Sequence, residues 1–530
     1  VSFKKKNLGY SGLLGFFFLT IYSYFSNFFY AHGIYHNLIV LILGLYLLYL
    51  SSINKLFSKS EFKVLIIIFL LLYVSFLLSK SHDDFPYYHF PYTYYLTQDS
   101  SLIGIGNFNH GFRTPSSLFY FNSLFYLPII KYYLFHIGAA IIFGSTIFIF
   151  FSNIIEFIKK KNIDYIYYFD LLSLIFILIF FYRLAEHGTD RSAQILSLLI
   201  ISEIFKVLKI KKISNYDIAK FSILFSVTIS LKVLYFLYAL LLVPVLFVIS
   251  KRHDFKKLII EIINNRVFQF SIFLLILVLI TNFFNTGCFV YPIVKTCFAS
   301  LDWSIPLEDI EKMALHYENW SKAGMTPNFL TDDPNNYVRS FNWINNWIDR
   351  YFISKVSDFL AGLSVLILIF VATFYSKTKH AINFDKNKLF IFLIINILLL
   401  EWFVNHPLLR YGGYSLIALC FFIPFSIILE MNKQTIYLIQ KKTFFLLLIG
   451  ISIFILRNVD RIIVENKKYN YNVYLKPYYS IDNSYFRIDY KVKNLIHNYN
   501  NCQKGKSECI SKEQYLVKKK FNKYIYIREK

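Results

Sequence analysis

Acidic residues are scarce in this sequence. Asp and Glu number 32 against 56 Lys and Arg, leaving a formal net charge of +24 over 530 residues. An excess of that size raises nucleic acid as a partner, but its distribution excludes one. The basic residues cluster in short hydrophilic gaps: Lys4–Lys6, Lys55/Lys59/Lys63, Lys159–Lys161, Lys206/Lys209/Lys211/Lys212, Lys251/Arg252/Lys256/Lys257, Lys377/Lys379/Lys386/Lys388 and Lys433/Lys441/Lys442. That is the positive-inside pattern of membrane proteins, which sets orientation and needs no nucleic acid. Internal repeats of about 20–50 residues are also absent, which removes solenoid and propeller architectures. The glycines of IGIGN (103–107) follow no strand and precede no Gly-Lys-Ser/Thr, so they are not a phosphate loop. The first residues, VSFKKKNLGYSGLLGFFFLTIY, lack a small-residue cleavage site and read as an uncleaved first helix.

What remains is apolar. Hydrophobic residues make up 56% of the chain, mean hydropathy is +0.48, and apolar runs of about 16–25 residues recur along most of the length. The expected fold is an all-α polytopic membrane protein of about 13 transmembrane helices. The runs lie at 8–31, 36–53, 62–79, 129–155, 165–182, 191–209, 217–231, 233–250, 266–284, 356–376, 388–404, 413–431 and 442–457. The lysine-rich gaps follow every second run, so a single alternation puts all of them in the cytoplasm, with the N-terminus. Two large loops, 80–128 and 285–355, then lie outside. So does a small C-terminal tail, 458–530, beyond a transmembrane domain of residues 1–457. The expected location is a bacterial inner (cytoplasmic) membrane. Cys288 with Cys297, and Cys502 with Cys509, fall in these outer segments, where oxidation permits a bridge within each pair.

Ionisable groups gather at the expected outer helix ends. SHDDFPYYHFPYTYY (81–95) places Asp83 and Asp84 beside His89 where the third helix leaves the membrane. Such a pair often just marks a helix exit. Here it enters an aromatic loop with the turns IGIGN and HGFR, the latter carrying Arg113, and then an apolar stretch, SSLFYFNSLFYLP, expected to lie along the interface. His82, Asp83, Asp84 and His89 are residue types that ligate divalent cations, which is the alternative to base chemistry here, but their spacing matches no strong metal signature and no cofactor is indicated. A carboxylate at a low-dielectric boundary has a raised pKa and suits general-base work on a hydroxyl. RLAEHGTDRSAQ (183–194) supplies Asp190, TISLKVLY (228–235) supplies Lys232, and NHPLLRYGGY (405–414) supplies His406 and Arg410. Any one of these is explicable as a snorkelling or helix-end charge. Together they provide cations for a phosphate and acids for an acceptor hydroxyl. Trp343 and Trp347, four residues apart, read as an interfacial aromatic anchor.

Several of these stretches carry a resemblance. HDDFPYYHFPYTYYLTQDSSLIGIGNFNHGF, TGCFVYP with LDWSIP, HPLLRYGGY and the cysteine-bearing tail resemble segments of a group of bacterial multi-pass membrane proteins, which in turn resembles the GT-C glycosyltransferases. The resemblance implies a GT-C-like helical bundle in which an acid of the first large outer loop is the base. It also implies a polyprenyl-phosphate-sugar donor taken from the non-cytoplasmic side. On these residues it implies Asp84, with Asp83 as its rival, in the catalytic role. Arg410 and Lys232 would lie near the donor phosphate. Apart from the resemblance, their place in the outer loops makes His89, Arg113, Asp190 and His406 expected substrate-binding residues as well. One departure is plain: the acid loop follows the third helix rather than the first.

The function expected is transfer of a sugar from a lipid-phosphate donor to a glycan or lipid acceptor of the cell envelope, as in lipopolysaccharide or other polysaccharide biosynthesis. The rivals are a flippase for lipid-linked sugars and an O-antigen-type polymerase. A flippase should place polar groups near mid-membrane, and Asp170, Lys131 and His136 are the few candidates. A non-catalytic envelope scaffold is a third class.

Overall fold

A computed structural model describes residues 7–53, 58–77, 84–184, 188–210, 213–251, 255–326, 329–379, 386–469, 489–503, 515–520 and 522–528. Helices α1 (Leu8–Asn27), α2 (Ile34–Ile53) and α3 (Lys59–Leu77) precede the first long loop. That loop folds into a π-turn at Phe85–His89, α4 (Phe90–Gln98), 3₁₀ turns at Ile105–Asn107 and His110–Phe112, and α5 (Ser117–Ser123). Then come α6 (Ile137–Lys159), α7 (Tyr165–Phe180), α8 (Gly188–Lys209), α9 (Asn215–Leu231), α10 (Leu242–Ser250), α11 (Phe255–Ile263) and α12 (Arg266–Thr286). The second long loop holds α13 (Leu307–Ser321), α14 (Pro334–Val338) and α15 (Ile344–Trp347). The long helices α16 (Ser357–Phe374), α17 (Lys386–Asn405), α18 (Gly413–Glu430) and α19 (Ile436–Tyr469) follow, then α20 (Asp489–Gln503) and a hairpin of Tyr515–Lys520 with Lys523–Arg528. Among the described residues ten helical segments are long and apolar enough to cross a membrane. The chain is a multi-pass membrane protein.

Its centre is α7. Every residue from Tyr165 to Leu178 is buried, as expected of a helix apolar on all sides. Helices α6, α8, α18 and α19 surround it, with α1 and α3 packed on α6 and α9 on α8. At the far extreme is α2, whose apolar stretch is only 6% buried inside the protein.

Both long loops dock on one end of this bundle. The Asn27 side chain donates to the carbonyls of Leu96 and Asp99. Asn37 donates to those of His32, Ser123 and Tyr126, and Asn285 to the Tyr92 hydroxyl and the Phe112 carbonyl. A disulfide joins Cys288 and Cys297. The expected bridge in the tail involves Cys509, outside the described residues. The hairpin of the tail packs on both long loops. The Tyr526 amide donates to the Ile103 carbonyl at 3.0 Å, Lys518 pairs with Asp302 at 3.0 Å and Arg528 with Asp309 at 2.8 Å. Gly104, at φ +77°, leaves room for this, since a Cβ there would lie 2.0 Å from the Tyr526 carbonyl oxygen.

Four expectations change. The helix expected over 129–155 begins at Ile137 and runs to Lys159, because Ile129 and Lys131 adopt positive φ in a tight turn closed from Lys131 N to Leu127 O. The stretch expected along the interface forms α5, buried at every residue because α1, α4, α6 and α9 enclose it. Trp343 and Trp347 are no interfacial anchor: they are 1% and 4% exposed and pack on one another and on Phe403. The helix expected over 442–457 extends from Ile436 to Tyr469, its charged ends reaching past the apolar run. At Lys232, where a tight turn is expected, the chain is extended (φ −161°, ψ 123°) between α9 and a 3₁₀ segment, Val233–Leu241.

Candidate functional site

Two oppositely charged pairs meet at the loop-bearing end. Arg410 Nη1 lies 2.9 Å from Asp84 Oδ2, joining residues 326 positions apart in sequence. Lys232 Nζ lies 2.5 Å from Asp190 Oδ1. Tyr411 bridges the pairs: its hydroxyl accepts from Arg410 Nη2 at 3.0 Å, and its ring lies 4.2 Å beneath the Lys232 ammonium. The side chains of the Asp84–Arg410 pair are 26% and 28% exposed, so the pair borders solvent without being fully wet.

The local sequence explains each placement. Asp84 opens the π-turn Phe85–His89, and Asp190 stands in the first turn of α8. Arg410 stands on a 3₁₀ turn, Leu409–Tyr411, stopped by Gly412 at φ +110°. Any Cβ on Gly412 would be strained and would press on the Tyr238 hydroxyl, 2.9 Å away. The turn is clamped from several sides. Gln194 donates from Nε2 to the Arg410 carbonyl and accepts the Ser415 amide. The Trp347 indole donates to the Pro407 carbonyl, the Trp402 indole to the Leu408 carbonyl, and the Leu409 amide to the Tyr351 hydroxyl. Arg410 is thus carried on a loop whose backbone polar groups are bonded from the second long loop and from α8 and α17.

The electrostatics follow. Burial disfavours charge on Arg410, but Tyr411, Asp190, Asp84 and Tyr88 outweigh it and hold the guanidinium above its usual range. Burial, then Asp84 and Asp190, push the Tyr88 hydroxyl well up, so it stays protonated and able to donate. Burial, then Lys232, holds His406 below the usual imidazole range. His110 is likewise lowered, by burial and then by Arg113 and His316, and His316 by burial.

The expected site residues divide. Asp84, Asp190, Lys232 and Arg410 come together, and the His406 ring lies 6.3 Å from that of Tyr411. Arg113 does not join them: it is buried and bonds to the Gly106 carbonyl and, at 2.5 Å, to the Tyr291 hydroxyl, tying the two long loops together. His89 packs edge-on to Tyr88 and against Phe119, and lines an adjoining pocket with Thr93, Asn122, His136 and Thr189. Asp83 and His82 lie outside the described residues. Among the described residues no three His, Cys, Asp or Glu side chains converge as metal ligands. Sequence reasoning misses Tyr88, Tyr411, Tyr235 and Gln194. In a chain that is 20% aromatic, one tyrosine carries no signal.

The chain belongs to the family described as a domain of unknown function, DUF8201, which matches residues 1–417 and so takes in both charge pairs. No curated protein and no solved structure is similar to it.

Proposed function

We propose that this chain is a GT-C-like membrane glycosyltransferase of the bacterial envelope. It would transfer a sugar from a polyprenyl-phosphate donor to a glycan or lipid acceptor on the non-cytoplasmic face. In this reading the bundle has about 13 spans, including the short α7 and α9 and the more polar α8. The N-terminus and lysine-rich gaps are cytoplasmic, and both long loops, the tail and the charge pairs are outside. One observation carries the reading: the carboxylate of the first loop and the guanidinium between α17 and α18 share one site at the loop-bearing end. Transfer from a phosphate-bearing lipid needs cations on the departing phosphate and a carboxylate on the attacking hydroxyl, close together yet of opposite charge. Arg410 and Lys232 take the first role and Asp84 the second, while Asp190 pairs with Lys232.

The flippase reading has one observation of its own. Asp170 is fully buried inside the bundle, held by Asn153 at 2.8 Å and Ser202 at 2.5 Å. Those bonds suffice for a structural acid, however, and they are far from a continuous path.

The deciding experiment compares, by mass, the envelope glycan of a deletion strain complemented with wild type or with Asp84→Asn. Loss of one residue per glycan in the deletion and in Asp84→Asn, with the variant protein accumulating normally, is the expected result. A shortened chain of intact repeats points instead to polymerisation, and an unaltered glycan in Asp84→Asn sinks the base assignment.

A further inference from the structure

A base needs a free carboxylate, yet both acids of this site are already occupied. Asp84 is held by Arg410 and Asp190 by Lys232. Neither cation is used to capacity. Arg410 spends Nη1 on Asp84 and Nη2 on the Tyr411 hydroxyl, and its buried Nε has no acceptor among the described residues. Asp84 therefore engages the guanidinium through one nitrogen and not through the two-pronged fork that makes such pairs strong. A second unused donor lies against the turn that carries Arg410. The Tyr235 hydroxyl is buried without a hydrogen-bond partner among the described residues, and lies 3.8 Å from where a Cβ of Gly412 would be.

Three facts thus coincide: two cations paired through partial contacts, a guanidinium with donors to spare, and a buried hydroxyl awaiting an acceptor. A phosphate satisfies all three. It carries more charge than one carboxylate, meets a guanidinium fork two oxygens at a time, and has oxygens left for an ammonium or a phenol.

We propose that the two ion pairs form a latch opened by the phosphate of an incoming lipid donor. The phosphate takes Arg410 and Lys232, Asp84 and Asp190 are released, and Asp84 becomes available to an acceptor hydroxyl only once the donor is seated. This rests on the reading of Arg410 and Lys232 as the phosphate site. The exchange makes and breaks no covalent bond. It replaces a neutral pair of ion pairs with a phosphate flanked by carboxylates, and that added negative charge raises the proton affinity of the released Asp84, as a base requires. Binding is therefore ordered, donor before acceptor, and the empty enzyme holds its base neutralised.

The latch makes a counter-intuitive demand: removing the catalytic carboxylate should tighten donor binding. The test is equilibrium binding of radiolabelled polyprenyl monophosphate to the purified full chain in detergent micelles. Asp84→Asn is expected to bind about tenfold more tightly than wild type, the size of a lost competitor contributing about 1.4 kcal/mol. Asp190→Asn gains similarly through Lys232 and serves should Asp84→Asn fail to accumulate. Arg410→Ala is expected to bind at background, and adding it to Asp84→Asn abolishes the gain. Inorganic phosphate should displace the lipid from wild type and Asp84→Asn alike, with the same gain for the variant. Equal affinities in wild type and both Asn variants would overturn the latch while leaving the phosphate site standing. Absence of binding in every form removes the phosphate site itself, and the proposed function with it.

Discussion

At the scale of single residues, burial disfavours charge on several imidazoles of the loop-bearing end. His32 is the clearest case: fully buried, bonded to the hydroxyls of Ser26 at 2.9 Å and Ser123 at 2.6 Å. Burial, then the neighbouring His36 ring, drops its pKa from 6.5 to about 3. A ring whose folded pKa is depressed makes stability depend on acid in one direction. Above about pH 6.5 both folded and unfolded chains carry a neutral ring, and the folded state keeps its full stability. Below that, the unfolded chain takes up a proton that the folded one refuses down to about pH 3, so stability falls as pH falls. At pH 5 the difference from His32 alone is about 2 kcal/mol. The midpoint of thermal unfolding in detergent should therefore drop between pH 7.5 and pH 5, and drop less in His32→Gln. Parallel pH dependence in the two proteins would assign the acid sensitivity elsewhere, to His110, His316 and His406, which are lowered too.

At the scale of elements the C-terminal hairpin matters most to the site. It pairs with the first loop at Ile103↔Ile525 and stacks Tyr515 on Phe108. It also reaches the second loop through Lys518–Asp302 and Arg528–Asp309. The exposed Lys518–Asp302 pair is worth little, whereas the buried Tyr526 and the hydrogen bond from its amide to the Ile103 carbonyl cost more to lose. Ending the chain at residue 514 is expected to leave the helices inserted but to open the first loop, read as faster tryptic cleavage near Arg113 in membrane vesicles. Cleavage at the wild-type rate would show that the loops hold themselves. Nothing in the sequence announces this contact, because a six-residue strand such as YLVKKK carries no mark of its partner. The long helices are legible for the opposite reason: lipid demands an apolar run of fixed length, and that requirement is written locally. Elements defined by each other are not. α5 and the Trp343–Trp347 pair look like interfacial segments until α1, α6, α9 and Phe403 are placed around them. Asp84, Asp190, Lys232 and Arg410 are legible as rare charges at helix ends, whereas the role of Arg113 is not, since a charge at a loop tip is as readily a strut between loops.

At the scale of the whole molecule everything depends on which face of the membrane the loop-bearing end occupies. Lysine-rich gaps crowd the other end of the bundle, where Lys209 pairs with Asp164 and Lys160 stands exposed. The disulfide Cys288–Cys297 belongs to the loop-bearing end and is at home in an oxidising compartment. Charge bias and thiol chemistry are independent signals, and they agree. Two exposed positions turn this into a measurement: Glu308, whose side chain is 87% exposed at the start of α13, and Lys160, 68% exposed beyond the end of α6. Glu308→Cys should react with a membrane-impermeant maleimide in intact cells, whereas Lys160→Cys should react only after permeabilisation. Cys420 lies within α18, so its labelling is read from the parent protein and subtracted. The reverse pattern would put Asp84 and Arg410 in the cytoplasm, beside nucleotide-activated sugars. Both cations would still suit a phosphate there, but the donor would be a soluble pyrophosphate, and a lipid-linked sugar would lose its claim on the site.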